Sequence, residues 1–108
     1  MVNEQKLDQA FDALANQRRR AILQKLSQGP CTVRQLYVLF DTSKAAVSKH
    51  LARLESAGLI RRQVRGREHH IELASGGLDE AGEWFERNTR FWNHQIESLG
   101  KHLQQRLD

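Results

Sequence analysis

The sequence predicts a mainly α domain with one small β-hairpin, and three observations carry that expectation. Apolar residues recur at helical spacing through most of the chain. Two helical stretches on either side of "DTS" leave room only for a tight turn between them, the helix-turn-helix arrangement. "LIRRQV" and "EHHIEL" alone have strand character, and they flank the turn "RGR". A chain of 108 residues has room for one core, so residues 1–108 are expected to form a single domain.

Leu7, Phe11 and Leu14 fall at i, i+4 and i+7, an amphipathic first helix with Asn3 as its cap. Asn16 separates it from a second helix, "QRRRAILQKLSQ", in which Ile22, Leu23 and Leu26 share a face. Gly29 and Pro30 end that helix, since neither continues one readily. Thr32 and Gln35 form a capping box for a third helix, "VRQLYVLF", packed through Val33, Leu36 and Phe40. Ser43 caps the fourth helix and Gly58 closes it. The helix-turn-helix therefore covers about 32–57 and the hairpin about 59–73, with Gly66 supplying the backbone freedom of the turn. Ser75-Gly76-Gly77 reads as a break, and the last helix is expected over about 78–107. Gly82 and Gly100 weigh against its continuity.

A composition of 39% hydrophobic and 28% charged residues suits a soluble globular protein rather than a disordered one. No apolar run approaches the roughly 18 residues of a membrane span. The start, "MVNEQKLDQA", is acidic and polar where a secretory signal is basic and then apolar. A single cysteine, Cys31, fits a reducing compartment, so a cytoplasmic location is expected. The net charge is +4, and its distribution says more than its size. Between residues 42 and 73 stand seven basic residues and three acidic ones, while the rest of the chain balances. A positive field is thus concentrated on one contiguous third of the chain.

Laid out at about 100° per residue, the fourth helix turns Val47, Leu51 and Leu54 to the core. The opposite side carries Ala45, Lys49, Ala52 and Ser56, flanked by Ser48 and Arg53. A merely solvated helix usually presents long charged side chains in i,i+4 pairs. Small residues with a few donors suit close approach to base edges in a DNA major groove. The hairpin that follows puts Arg65 and Arg67 astride Gly66 at its tip, within reach of flanking backbone or minor groove. Arg61 and Arg62 alternate along the first strand, so only one of them is expected to face DNA.

"ALANQRRRAIL", "TSKAAVSKHLARLESAGLI" and "RGREHHIELA" resemble the ArsR-type (ArsR/SmtB-like) winged-helix transcriptional regulators over nearly the whole chain. The resemblance implies a winged helix-turn-helix fold and homodimers that bind operator DNA and usually repress, with an effector releasing them. It carries Ser43, Lys44, Ser48 and Lys49 onto the recognition helix, and Arg65 and Arg67 onto the wing. Thr32, Gln35, Ala45, Arg53 and Arg62 complete the expected DNA-facing set. Double-stranded DNA and a second copy of the chain are the expected partners.

Relatives of this kind often sense metals, through paired cysteines at the third helix or through ligands on the last one. Here Cys31 stands alone. "HQIE", His94 to Glu97, fits half of the second pattern, but Glu83 and Ala81 occupy the positions of the missing ligands. Tetrahedral zinc wants more nitrogen or sulfur ligands than this, so neither metal nor cofactor is expected. No Ser-His-Asp set, carboxylate pair or glycine-rich phosphate loop is present, and an enzyme is not expected. A metal- or redox-released sensor of the same fold, or a winged helix that meets an acidic protein, are the alternatives. The second lacks the aromatic anchors that protein interfaces use.

A final helix of about 28 residues would be roughly 42 Å long, while a domain of this size has a radius of gyration of about 13 Å. It should overhang its own core. Leu78, Phe85, Trp92 and Leu99 recur every seven residues, Ile96 and Leu103 line the same seam, and Trp84 and Phe91 widen it. With Leu7, Phe11 and Leu14 this stripe is expected to form a homodimer interface.

Overall fold

The computed structural model describes residues 4–107, so the expected cap Asn3 lies outside the described residues. Five helices and three short strands follow in the order α1 (Glu4–Leu14), α2 (Gln17–Leu26), β1 (Cys31–Thr32), α3 (Val33–Leu39), α4 (Lys44–Ser56), β2 (Ile60–Arg65), β3 (Glu68–Leu73) and α5 (Ser75–Leu107). The caps expected at Thr32 and Ser43 are present, and Asn16, expected only to separate α1 from α2, caps α2. Asn16 accepts from the Arg19 amide, Ser43 accepts from the Ala46 amide, and Thr32 and Gln35 close a reciprocal capping box.

The main core gathers Ile22, Leu23 and Leu26 of α2, Leu36 of α3 and Val47, Leu51 and Leu54 of α4 over Leu59, Ile60 and Ile71 of the sheet. Leu14, Val33 and Phe40 pack at its margin. A smaller cluster joins Leu7, Ala10 and Phe11 of α1 to Ala81 and Trp84 of α5.

A buried arginine locks α1 to α2 and α4. Arg19 is only 7% exposed and has no carboxylate partner. Its Nε donates to the Ala13 carbonyl at 2.8 Å and its Nη2 to the Asp12 carbonyl at 2.9 Å. Arg20 donates to the Leu14 carbonyl at 2.7 Å, and Arg18 reaches Thr42 Oγ1 in the α3–α4 turn at 2.8 Å. The last carbonyls of α1 run out of helical donors, and the guanidinium groups of Arg19 and Arg20 donate to them at the negative end of the helix dipole.

The sheet is antiparallel with strand order β1-β3-β2. Cys31 pairs with Ile71, and the hairpin register runs from Ile60 opposite Leu73 to Arg65 opposite Glu68. β1 is a third strand where only a hairpin was expected; two residues carry too little alternation to reveal it. Gly66 takes φ 64° at the hairpin turn, a left-handed conformation that favours glycine.

The largest correction concerns Ser75-Gly76-Gly77, which is the first turn of α5 and not a break. The end of α4 explains it. The Gly58 amide donates to the Glu55 carbonyl and the Leu59 amide to the Leu54 carbonyl, both at 3.0 Å, a Schellman closure with Gly58 at φ 74°. The Gly77 amide then donates to the Gly58 carbonyl at 3.2 Å. A Cβ on Gly77 would lie 2.5 Å from the Ala57 oxygen and 2.8 Å from Leu59 Cδ2. The glycine is there for close approach, which a local reading cannot see.

From that contact α5 runs unbroken through Gly82 and Gly100 for 33 residues, roughly 50 Å of helix. The molecule measures 70 × 32 × 22 Å with a radius of gyration of 19.0 Å, well above that of a compact domain of its length. Every residue from 89 to 106 is exposed. No helix among the described residues is long and apolar enough to cross a membrane.

Gly77→Ala should destabilise the fold by about 1–3 kcal/mol in denaturant unfolding, because a Cβ there is overpacked against backbone. Gly76→Ala, which meets open space, should be neutral or stabilising by up to about 1 kcal/mol. Equal effects of the two changes would contradict the packing described.

Candidate nucleic-acid interface

The Ser43 cap fixes where α4 begins and hence which side chains its first turns present. Val47, Leu51 and Leu54 are buried, while Ala45, Ser48, Lys49, Ala52 and Ser56 are exposed. The lean outward face is therefore present, but it divides in two. Ala52, Arg53 and Ser56 border a shallow hollow shared with Gln9 and Asp12 of α1. Arg53 Nη1 meets Asp12 Oδ2 there at 3.0 Å. The open part of the face is the N-terminal half, from Ser43 to Lys49.

Tyr37 of α3 organises that half. Its hydroxyl lies 3.0 Å from Ser48 Oγ, and Lys44 Nζ stands 5.7 Å from its ring centroid, within cation–π range. On its other side Tyr37 helps line a hollow of about 420 Å³ with Thr32, Arg34, Arg62, Arg67 and His69. One tyrosine thus touches the start of α4 and borders the hollow that the hairpin shares. No expectation was attached to it, although a tyrosine one turn after Val33 puts an apolar ring at the core margin and a polar tip outside.

The strand pairing sorts the wing arginines. Arg61 stands opposite Glu72 and meets its carboxylate at 3.0 Å. Arg62 turns to the other face, half-buried, with Nε 3.6 Å from Glu55 Oε2 of α4 and Nη1 3.1 Å from His69 Nδ1. Arg65 Nη2 donates to Gln63 Oε1 at 3.2 Å. The side chains of Lys49 and Arg67 make no hydrogen bond or ion pair to other described residues. Of the expected set, Thr32 and Gln35 are engaged with each other in the capping box, and Ser43 holds the Ala46 amide. Lys44, Ala45, Ser48, Lys49, Arg65 and Arg67 are left exposed.

The expected seam residues also separate. Leu7 is 3% exposed inside the α1–α5 cluster, and Leu14 packs on the main core, so both serve the chain's own interior. Phe11 lies edge-on to Trp84 and Phe85, and Trp84 edge-on to Trp92, with centroids 5.3 to 5.9 Å apart. Leu78 at 37% is at the margin of exposure; Phe85, Trp92, Ile96, Leu99 and Leu103 are exposed, Ile96 by 66%. His94 and Glu97 are exposed on α5, and no three His, Cys, Asp or Glu side chains among the described residues group closely enough to hold a metal.

These elements match known proteins. Residues 16–62 fit the family described as "Bacterial regulatory protein, arsR family". The fold superposes on a solved ArsR family transcriptional regulator, RHA00566, with a TM-score of 0.78 and 32% identity, covering 84% of this chain and 94% of that one. The chain belongs to the ArsR family. It is a winged helix-turn-helix transcriptional regulator, with α3 and α4 as the helix-turn-helix and β2 and β3 as the wing. The HTH-type transcriptional regulator Rv2034 of Mycobacterium tuberculosis is 38% identical over 71 residues, which is 66% of this chain and 66% of that protein. A homodimeric winged helix-turn-helix DNA-binding domain from Mycobacterium bovis, Mb0332, shares the fold at a TM-score of 0.62 and 22% identity, covering 87% of this chain and 84% of that one.

Behind the exposed face of α4, His50 faces the arginine cluster, its Nδ1 3.4 Å from Arg19 Nη1. Burial holds its pKa below the ordinary value near 6.5, and the cations of Arg19, Arg18 and Arg53 add to that. The folded state therefore binds the proton less well than the unfolded state. Its stabilisation is full above about pH 6.5 and is lost as pH falls toward the depressed value. The melting temperature should drop between about pH 8 and about pH 5, and drop less in His50→Gln. Parallel pH profiles for the two proteins would rule out this linkage.

Proposed function

We propose that the chain is a homodimeric repressor that lays the first half of α4 in the major groove of an inverted-repeat operator. Lys44, Ser48 and Lys49 meet bases and phosphates, and Arg65 and Arg67 meet the flanking backbone or minor groove. Thr32, Gln35, Ala45, Arg53 and Arg62 complete the proposed DNA-facing set, with Thr32 and Gln35 also capping α3 and Arg62 also pairing the wing with Glu55 of α4. The observation that carries this reading is the small and cationic outward side of residues 43–49, separated by the Tyr37 hollow from a wing whose Arg67 makes no ion pair among the described residues. Small residues let the helix approach, and free cations release counterions from DNA.

The dimer reading rests on α5. Trp92, Ile96, Leu99 and Leu103 alternate four, three and four residues apart along an exposed helix, the spacing of a coiled-coil seam. So large an apolar stripe is rarely left in water. The homodimeric Mb0332 domain has the same fold. A two-fold pair would set two recognition helices about 34 Å apart, one per half-site. The proposed partners are double-stranded DNA and a second copy of the chain, and the proposed location is the cytoplasm.

Lys49→Ala, Arg65→Ala and Arg67→Ala should each weaken binding to the chain's own upstream DNA and lower the log–log salt slope by about one. Unchanged slopes in folded variants would remove these contacts. Ile96→Glu with Leu99→Glu should turn a sedimenting dimer into a monomer that retains its helical circular dichroism. A parent chain that sediments as one copy at micromolar concentration would refute the seam.

A further inference from the structure

A further groove, of about 630 Å³, opens along α3 next to the Tyr37 hollow, with Arg34 on the edge of both, and is bounded by the end of α2 and the loop through Gly29 and Pro30. That is a volume typical of small-molecule sites. Pro30, Val38 and Leu39 give it an apolar wall, and Lys25 and Arg34 give it two cations; no aspartate or glutamate lines it. Val38 is 82% exposed and Leu39 52%, although the helix has a core face that could have taken apolar residues instead. The Lys25 and Arg34 side chains make no ion pair or hydrogen bond to any described residue.

The groove offers two unneutralised cations beside an apolar wall that the chain itself does not cover. A free inorganic anion would use the charge and leave Val38 and Leu39 wet; a neutral hydrocarbon would do the reverse. We propose that this groove binds an amphipathic organic anion, its carboxylate between Lys25 and Arg34 and its hydrocarbon body along Pro30, Val38 and Leu39. Arg34 presents a planar fork suited to both carboxylate oxygens, and Lys25 adds a point charge. The apolar body gains by leaving water. An occupant leans on the helix whose Tyr37 hydroxyl meets Ser48 at the start of α4. Binding at this groove does not depend on the DNA reading, so either can fail alone.

The test is methyl-detected NMR titration of the full chain with decanoate, kept below its micellar concentration, beside decanol and decyltrimethylammonium. Decanoate should shift the Val38 and Leu39 methyls saturably, and the two analogues should bind at least about tenfold more weakly. Lys25→Glu should lower decanoate affinity by about tenfold or more and favour the cationic analogue. Val38→Glu, an exposed change that leaves the core intact, should abolish the decanoate shifts. The proposal is overturned if shifts centre on the Ile96, Leu99 and Leu103 methyls of α5, if decanol binds as well as decanoate, or if Lys25→Glu leaves the order of affinities unchanged.

Discussion

A positive charge sits inside this protein without a negative one to meet it, and the arrangement of helices follows from how it is satisfied. Arg19 is held by main-chain oxygens at the end of α1 rather than by a carboxylate. The partial negative charge of a helix C-terminus is enough when several carbonyls converge on one planar cation. That convergence requires α1 to end where α2 begins and requires α4 to close over the guanidinium. His50 of α4 does the closing, as a neutral ring that can accept from Arg19. A protonated ring there would stand among three arginines. Helix α4 is thus fixed to α1, and α1 through Leu7, Ala10 and Phe11 to the root of α5.

The same economy of charge sorts the surface. Seven cations cluster between residues 42 and 73, but the structure answers several of them. Asp12 meets Arg53, Glu72 meets Arg61, and Glu55 with His69 meets Arg62. Exposed pairs of this kind add little to stability. Their effect is to hold hairpin and helix in register and to leave the free cations at the edges, at Lys49 and at the wing tip. A basic segment thereby becomes a shaped surface.

Much of this was legible in the residues because it is local. Caps at Thr32 and Ser43 act within one turn, and the buried triad of α4 follows from helical spacing alone. What was not legible depends on partners distant in sequence. Gly77 looked like a breaker because its reason is the Ala57 carbonyl, twenty residues earlier. Leu7 has the spacing of a seam residue, yet spacing cannot say whether α5 of the same chain or another chain covers it. The run Arg18-Arg19-Arg20 carries no local sign of its partners, and only the folded chain shows three different acceptors for it. In the candidate site, the outward side of α4 could be read from a wheel. Its division by α1, and the contact of Tyr37 with Ser48 beside the hollow that the wing borders, could not.

The length of α5 has a mechanical corollary. The rod is clamped to the body only near its root, by Leu7, Ala10 and Phe11 against Ala81 and Trp84, and beyond residue 88 it stands clear. Two such bodies joined along their shafts would work like callipers, with the pivot far from the jaws. A slight rotation where the shafts cross would be magnified into a change of gap at the wing tips. Fit to a fixed DNA pitch would then be governed from the handle.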